Sequence, residues 1–139
     1  HELWFYSAST PPGILNVMLN SRSGATSDGY DIQLNNAGKI ALTYTNTFFY
    51  ISANPVPMGQ WNHVAVVRTG TQMKVFINGV GQTPFTLTTN FTSNVLSVGA
   101  GNTGGSPFNG YISNVRFTNG IARYSADFSV PTTPFPITA

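Results

Sequence analysis

Alternating hydrophobic and polar positions recur along the chain and predict short β-strands. The clearest stretch is QWNHVAVVRTGTQMKVFINGV. Its first arm, Trp61–Arg68, is almost continuously apolar, which is typical of a strand covered on both faces. Its second arm, Gln72–Asn78, alternates and ends at the strong turn dipeptide Asn78-Gly79. The stretch is therefore predicted to be a β-hairpin.

Two residues of the first arm bear on function. Trp61 and His63 stand two positions apart and so share one face of the predicted strand. A catalytic histidine needs a nucleophile or an acid nearby. The apolar character of the strand instead favours a structural role, so we expect Trp61, His63 and Val66 in the core.

The rest of the chain repeats the same pattern in shorter pieces. About ten short strands, turn signals at roughly 8–12-residue spacing and no long amphipathic helix predict an antiparallel sandwich or barrel. One helical turn is expected within Ile121–Phe128, and the strand from Tyr30 to Leu34 is expected to be half-buried. The further strands are predicted at Glu2–Ser7, Ile14–Leu19, Lys39–Tyr44, Phe48–Ser52, Phe85–Thr88, Val95–Gly99 and Tyr111–Thr118.

Composition narrows the function classes. The 139 residues suit one domain, and only 7% are charged, against roughly 25% in a typical soluble domain. Six Lys and Arg residues spread along the chain make a poor phosphate-binding stripe, so no nucleic-acid partner is expected. No apolar run approaches the roughly 18 residues of a membrane span, so no membrane insertion is expected.

Acidic residues are too few for most hydrolytic chemistry. Glycoside hydrolysis needs two carboxylates roughly 5–10 Å apart. The chain has four acids, Glu2, Asp28, Asp31 and Asp127, and no dense array of them. We therefore predict that the protein is not an enzyme.

One pair of acids is a candidate metal site. Asp28 and Asp31 flank Gly29-Tyr30, and carboxylates with loop carbonyls are ligands that Ca²⁺ prefers. The alternative is that each is an ordinary turn aspartate that caps backbone amides. Calcium is thus a candidate cofactor, and no other cofactor is expected.

An aromatic cluster is the candidate ligand site. It comprises Tyr44, Phe48, Phe49 and Tyr50, and aromatic faces stack on the C–H surfaces of sugars. We predict Phe48 and Tyr50 as ligand-binding residues, with Asn102 as an amide that bonds hydroxyl groups. The alternative is that part of the cluster is core. The loop around Asn102, GNTGG, lacks the following Lys and helix of a phosphate loop.

Three stretches resemble the concanavalin A-like, laminin G-like jelly-roll lectin domains. They are ELWFY, the pair WNHVAVVR and MKVFINGV, and FNGYISNVRFTNGIARYSADFSVPTTPF. The resemblance implies a single domain over residues 1–139, built as an all-β, antiparallel two-sheet jelly-roll sandwich. It also implies a structural role for Arg116, in the V-R pair of the third stretch.

Members of this subgroup are often modules of phage tail, adhesion and secreted bacterial proteins. We therefore expect a non-catalytic, lectin-like module that recognises a glycan or surface polysaccharide, located extracellularly, on a cell surface or on a virion. The alternative is a structural phage virion protein, in a tail or as capsid decoration, or a filament subunit. Because His1 is not a natural start, we expect the chain to be an excised or processed part of a larger protein.

The resemblance also raises a question of assembly. Family domains usually carry strands before the one that matches ELWFY, and a strand without a partner exposes unpaired N–H and C=O groups. We therefore predict that Glu2–Ser7 or the tail Pro131–Ala139 is covered by another subunit or domain. The alternative is that the proline-rich tail folds back within one chain.

Overall fold

The structure is a computed structural model that describes residues 1–13, 15–24, 28–44 and 47–136, and it is all-β. In these ranges the only helix is a 3₁₀ turn at Asn102–Gly104, so the helical turn predicted within Ile121–Phe128 is wrong. No helix of the described part is long and apolar enough to cross a membrane. The strands are β1 Glu2–Tyr6, β2 Val17–Asn20, β3 Asp31–Leu34, β4 Ile40–Tyr44, β5 Thr47–Ile51, β6 Trp61–Thr69, β7 Gln72–Ile77, β8 Val80–Gly81, β9 Phe85–Thr86, β10 Ser97–Val98 and β11 Tyr111–Arg116.

The chain forms two compact units. The first comprises His1–Phe5, Trp61–Thr88 and Ile112–Ala139, and the second comprises Tyr6–Gln60 and Thr89–Tyr111. Each unit is therefore assembled from segments that are distant in sequence.

One sheet has six strands, in the order β11-β1-β6-β7-β8, with β9 also paired to β7. Strand β1 thus lies between two other strands of the same chain. The expectation that Glu2–Ser7 forms an unpaired edge is wrong, because β11 returns from more than a hundred residues away to pair with it.

The hairpin of β6 and β7 forms as predicted. Its register runs from Val64↔Ile77 to Thr69↔Gln72. The next turn, from β7 to β8, has Asn78 and Gly79 at φ +50° and +82°, as a two-residue type I′ turn requires.

Burial along β6 agrees with a strand covered on both faces, except at its start. His63 is fully buried and Val66 is 3% exposed, which confirms both as core residues. Trp61 is 45% exposed, so its predicted core position is wrong. The buried part of β6 begins only at Asn62. The hydrophobicity of the strand does not indicate at which residue burial starts.

The other sheet has five antiparallel strands, in the order β10-β2-β3-β4-β5. Its middle strand, β3, is buried on both faces rather than half-buried, since Asp31 is 2% and Gln33 is 0% exposed. The predicted strand is confirmed, but its polar side chains do not face solvent. They belong to a hydrogen-bond network that crosses this sheet.

Candidate functional site

A row of mostly polar side chains crosses the whole five-stranded sheet. The register pairs Ser97 with Asn20, Asn20 with Asp31, Asp31 with Thr43 and Thr43 with Phe48. Residues paired directly across a ladder project to the same face of a sheet. These five residues therefore share one face, and we call them the polar row.

An ion pair lies at the centre of the polar row. Nη2 of Arg22 is 2.8 Å from Oδ2 of Asp31, and the two side chains are only 13% and 3% exposed. Thr43 donates from Oγ1 to the same Asp31 oxygen at 3.4 Å, and Gln33 donates from Nε2 to Oγ1 of Thr43 at 3.0 Å. Asn20 donates its amide to the carbonyl of Arg22 at 3.0 Å. The network is continuous across β2, β3 and β4.

Burial affects both the pKa of Asp31 and the pairing of the polar atoms in this network. Loss of solvent raises the pKa of Asp31, although the charge and hydrogen bond of Arg22 oppose that rise. Three buried atoms of this network have no hydrogen-bond partner among the residues that the structure describes: Nε of Arg22, Oδ1 of Asp31 and Oε1 of Gln33. Buried polar atoms are nearly always paired, so each of these three calls for a partner such as a water molecule or a ligand hydroxyl. One donor and two acceptors match a pair of hydroxyl groups or one water molecule, because a hydroxyl donates a single hydrogen bond.

The predicted aromatic cluster divides between the two faces of this sheet. Phe48 is half-buried and pairs with Thr43, whereas Tyr50 pairs with Leu42. Because Leu42 and Thr43 are adjacent, their side chains point to opposite faces. An irregularity between them makes Phe49 an extra residue of β5, and it separates Phe48 from Tyr50. Only Phe48 belongs to the polar row.

Two of the other aromatic residues of the cluster pack against each other. The rings of Tyr44 and Phe49 have centroids 5.0 Å apart, and Phe49 also lies 6.2 Å from the ring of Tyr30. Burial raises the pKa of Tyr50 to about 12. All four residues of the cluster are half-buried, and Phe48 is the one that lies on the polar row.

Asn102 lies near the same end of the network as Arg22. It begins the 3₁₀ turn, and a Cβ built on Gly24 would stand 3.9 Å from its Nδ2. Gly24 is two residues beyond Arg22 in the chain. The structure therefore brings Asn102 beside the loop that carries Arg22, and its ligand role stays a prediction.

The two aspartates of the predicted metal site have separate roles. Asp28 accepts hydrogen bonds from the backbone N–H of Ser23 at 3.4 Å and from its hydroxyl. Asp31 is engaged with Arg22 instead. Within the described residues, no group of three or more His, Asp or Glu side chains could hold a metal ion. Calcium binding stays a prediction.

A second buried network lies in the other compact unit and centres on Glu2. Oε1 of Glu2 accepts from Nε of Arg116 at 2.7 Å. Its Oε2 accepts from the hydroxyl of Tyr124 at 2.8 Å and lies 3.1 Å from Nε2 of His63. Arg116 is thus occupied by a structural ion pair, in line with its expected role.

These contacts set the charge state of the Glu2 network. Burial opposes ionisation of Glu2, but hydrogen bonds from His63, Tyr124 and Arg116 outweigh it and lower the pKa of Glu2. Burial and the hydrogen bond to Glu2 raise the pKa of Tyr124 to about 12. The cluster therefore holds an ionised Glu2 and a neutral Tyr124 at neutral pH.

The C-terminal segment covers the Glu2 network. Tyr124 and Phe128 are stacked with centroids 3.6 Å apart, and the ring of Phe135 lies 4.1 Å from the guanidinium carbon of Arg116. Phe128 donates its N–H to the carbonyl of Gly79 at 3.0 Å. The alternative expectation, that the tail folds back within one chain, is confirmed as far as Phe135. Residues 137–139 of the tail lie outside the described residues.

Sequence reasoning missed most of both networks. Arg22 stands in the polar loop NSRSGATSDG, which has no periodicity that would single it out. Alternation placed Asp31 and Gln33 on a predicted solvent face. For the Glu2 network, the V-R pair of the family resemblance was the only local signal, because its partners are up to 122 residues apart.

A family model described as the concanavalin A-like lectin/glucanases superfamily, of laminin G type, matches residues 1–124. The chain belongs to this superfamily. The predicted fold class, an all-β, antiparallel jelly-roll sandwich, is thereby confirmed. A comparison with curated proteins found no match.

Solved structures of similar fold include three carbohydrate-related proteins. A Bacteroides ovatus protein with a proposed carbohydrate-binding role aligns at a TM-score of 0.65 and 17% identity, over 83% of this chain and 35% of that one. The CBM40 module of a Ruminococcus gnavus IT-sialidase, bound to α2,3-sialyllactose, gives 0.56 and 20%, over 78% and 68%. Domain 4 of the Geobacillus stearothermophilus GH43 arabinanase AbnA, in complex with arabinotriose, gives 0.57 and 20%, over 80% and 55%. This chain thus spans about a third of the Bacteroides protein, and identities this low support the fold alone.

Proposed function

We propose that this chain is a non-catalytic glycan-binding module and that the polar row is its binding face. The observation that carries the proposal is the set of three buried, unpartnered polar atoms on Arg22, Asp31 and Gln33. They lie on the face that also presents Phe48, about two strand spacings, or about 10 Å, from Asp31. A sugar needs both features, an aromatic surface for its C–H groups and hydrogen-bonding groups for its hydroxyls.

The accessible parts of the site are at its rim. Phe48 and Ser97 are half-buried, and Arg22 is the more exposed partner of the ion pair. A sugar stacked on Phe48 would extend past Thr43 to reach Asp31 and its partner Arg22. Asn102, beside the Arg22 loop, would add an amide at the rim.

The placement of the four carboxylates supports a non-catalytic module. Glu2 accepts hydrogen bonds from Arg116 and Tyr124, and Asp31 is paired with Arg22. Asp28 is bonded to Ser23, and Asp127 accepts from the backbone N–H of Gly81 at 2.9 Å. General acid–base hydrolysis needs two carboxyl groups facing one bond, and these carboxylates are engaged elsewhere.

The relatives support the same proposal from another direction. Those with solved structures bind sialyllactose or arabinotriose, or carry a proposed carbohydrate-binding role. A module of this kind would act outside the cell, on a cell surface or on a virion, within a larger adhesion or tail protein.

A glycan array with the wild-type chain tests the proposal, followed by calorimetry on the glycans that bind. Phe48→Ala should weaken binding about fivefold, the loss of roughly 1 kcal/mol of stacking. Phe117→Ala is the matched control, since Phe117 is also accessible, at 39%, but lies in the other unit. Equal losses in both variants would contradict the site.

Failure to bind any glycan would contradict the function itself. If the chain also self-associates specifically in light scattering, the structural alternative of a virion or filament subunit would take its place.

A further inference from the structure

The charges of the polar row bear on which glycans it accepts, and this inference rests on the proposed function. Arg22 is the cation seen to contact the row, and Asp31 neutralises it at 2.8 Å. Recognition of a sugar carboxylate uses a positive side chain that makes charge-assisted hydrogen bonds. Here that positive charge is already matched within the protein.

The remaining atoms of the pair favour uncharged partners. Oδ1 of Asp31 is a buried acceptor without a partner among the described residues, and it belongs to an anionic group. A sugar carboxylate near it would meet like charge in a region of low dielectric, where Coulomb interactions are strongest. A neutral hydroxyl could donate to the same oxygen, and Nε of Arg22 could donate to a hydroxyl oxygen.

We propose that this site selects neutral sugars over anionic ones, with Asp31 as the residue that excludes sialic and uronic acids. Specificity of this kind arises when an unmatched charge is set against the wrong ligand. The fold itself does not determine whether a module binds neutral or anionic sugars. Among the similar structures, one module holds the anionic sialyllactose and another domain holds the neutral arabinotriose.

The test uses matched pairs of glycans, each a neutral oligosaccharide and the same oligosaccharide carrying one sialic or uronic acid. We expect the wild-type chain to bind the neutral member at least tenfold more tightly. Asp31→Asn leaves Arg22 as an unneutralised cation, so it should shift the ratio at least tenfold toward the anionic member. Asp127→Asn removes an acid of the other unit and should leave the ratio unchanged.

The outcomes distinguish failure of the selectivity for neutral sugars from failure of glycan binding itself. Equal or tighter wild-type binding of anionic members overturns the selectivity while leaving glycan binding intact. An unchanged ratio in a folded Asp31→Asn variant overturns the role of Asp31. If that variant does not fold, the wild-type ratio decides: a preference for the neutral members supports the selectivity, and no preference overturns it. Absence of binding to both members of every pair instead removes the proposed function.

Discussion

Nε and Nη2 of Arg116 both lie 2.7 Å from Oε1 of Glu2, although the two residues are 114 positions apart in the chain. Glu2 is 4% exposed, and the side chain of Arg116 is 15% exposed. This ion pair joins β1 to its neighbour β11, while Tyr124 of the C-terminal segment bonds the same carboxylate. Breaking it should therefore loosen both the sheet and the segment that covers it.

The first prediction concerns Glu2→Gln and pH. The folded-state pKa of Glu2 lies below its ordinary value of 4.5, so its contribution to stability is complete above that pH and is lost as pH falls through the lowered pKa. Near neutral pH, Glu2→Gln should lower the free energy of unfolding by about 3 kcal/mol, since it leaves Arg116 without its anion. The difference from wild type should narrow as pH falls below 4.5 and through the lowered pKa of Glu2.

Urea unfolding of both proteins across this pH range measures that narrowing. Asp31 acts in the opposite sense, because its raised pKa makes the folded state take up protons more readily as pH falls. Because wild type and Glu2→Gln both contain Asp31, its contribution cancels in the difference between their free energies of unfolding. A difference that stays constant with pH would show that Glu2 is not the group responsible.

The second prediction concerns the contact between the C-terminal segment and the turn at Gly79. A Cβ at Gly79 would stand 2.1 Å from the carbonyl oxygen of Phe128, and Gly79 also has φ +82°. Gly70 has φ +60° but open space around its Cβ position. Both Ala substitutions carry the strain of positive φ, about 1 kcal/mol, and only Gly79→Ala adds a backbone clash.

We therefore expect Gly79→Ala to lower the melting temperature clearly more than Gly70→Ala. It should also speed proteolysis after Arg123, which lies in the displaced segment. Equal shifts in the two variants would mean that the segment does not pack against this turn.

The third prediction corrects the expectation for Trp61. Phe76 is fully buried, so Phe76→Ala should cost roughly 3–5 kcal/mol of unfolding free energy. Trp61 is 45% exposed, so Trp61→Ala should cost about 1 kcal/mol or less. Denaturant unfolding of the two variants checks the order, and a larger loss for Trp61→Ala would contradict the burial seen here.

The fourth prediction concerns calcium. Asp31 is held by Arg22 and Asp28 by Ser23, so binding of Ca²⁺ would have to break contacts that already satisfy these carboxylates. We expect the same melting temperature in millimolar calcium and in a chelator. A rise with calcium that Asp28→Asn abolishes would instead establish the metal site.

Much of the fold was predictable because its signals are local. Val64, Val66 and Val67 favour an extended strand, and Asn78-Gly79 adopts the positive φ values that a tight turn demands. These preferences act over a few residues, so the hairpin, most strand positions and the fold class could be predicted from the sequence. The scarcity of acids predicts a non-catalytic protein, and that stays a prediction.

What depends on register and long-range packing was decided only by the tertiary structure. One extra residue in β5 sends Phe48 and Tyr50 to opposite faces, and no local preference in the sequence marks it. Exposure of Trp61 depends on where the covering of β6 begins. The partners of Glu2 and of Asp31 come from other strands and loops, and polar side chains carry no periodicity that would reveal them. The sequence by itself determined which segments form strands and turns, since backbone preferences are local. Tertiary structure decided which side chains meet, since those contacts depend on the pairing of distant segments.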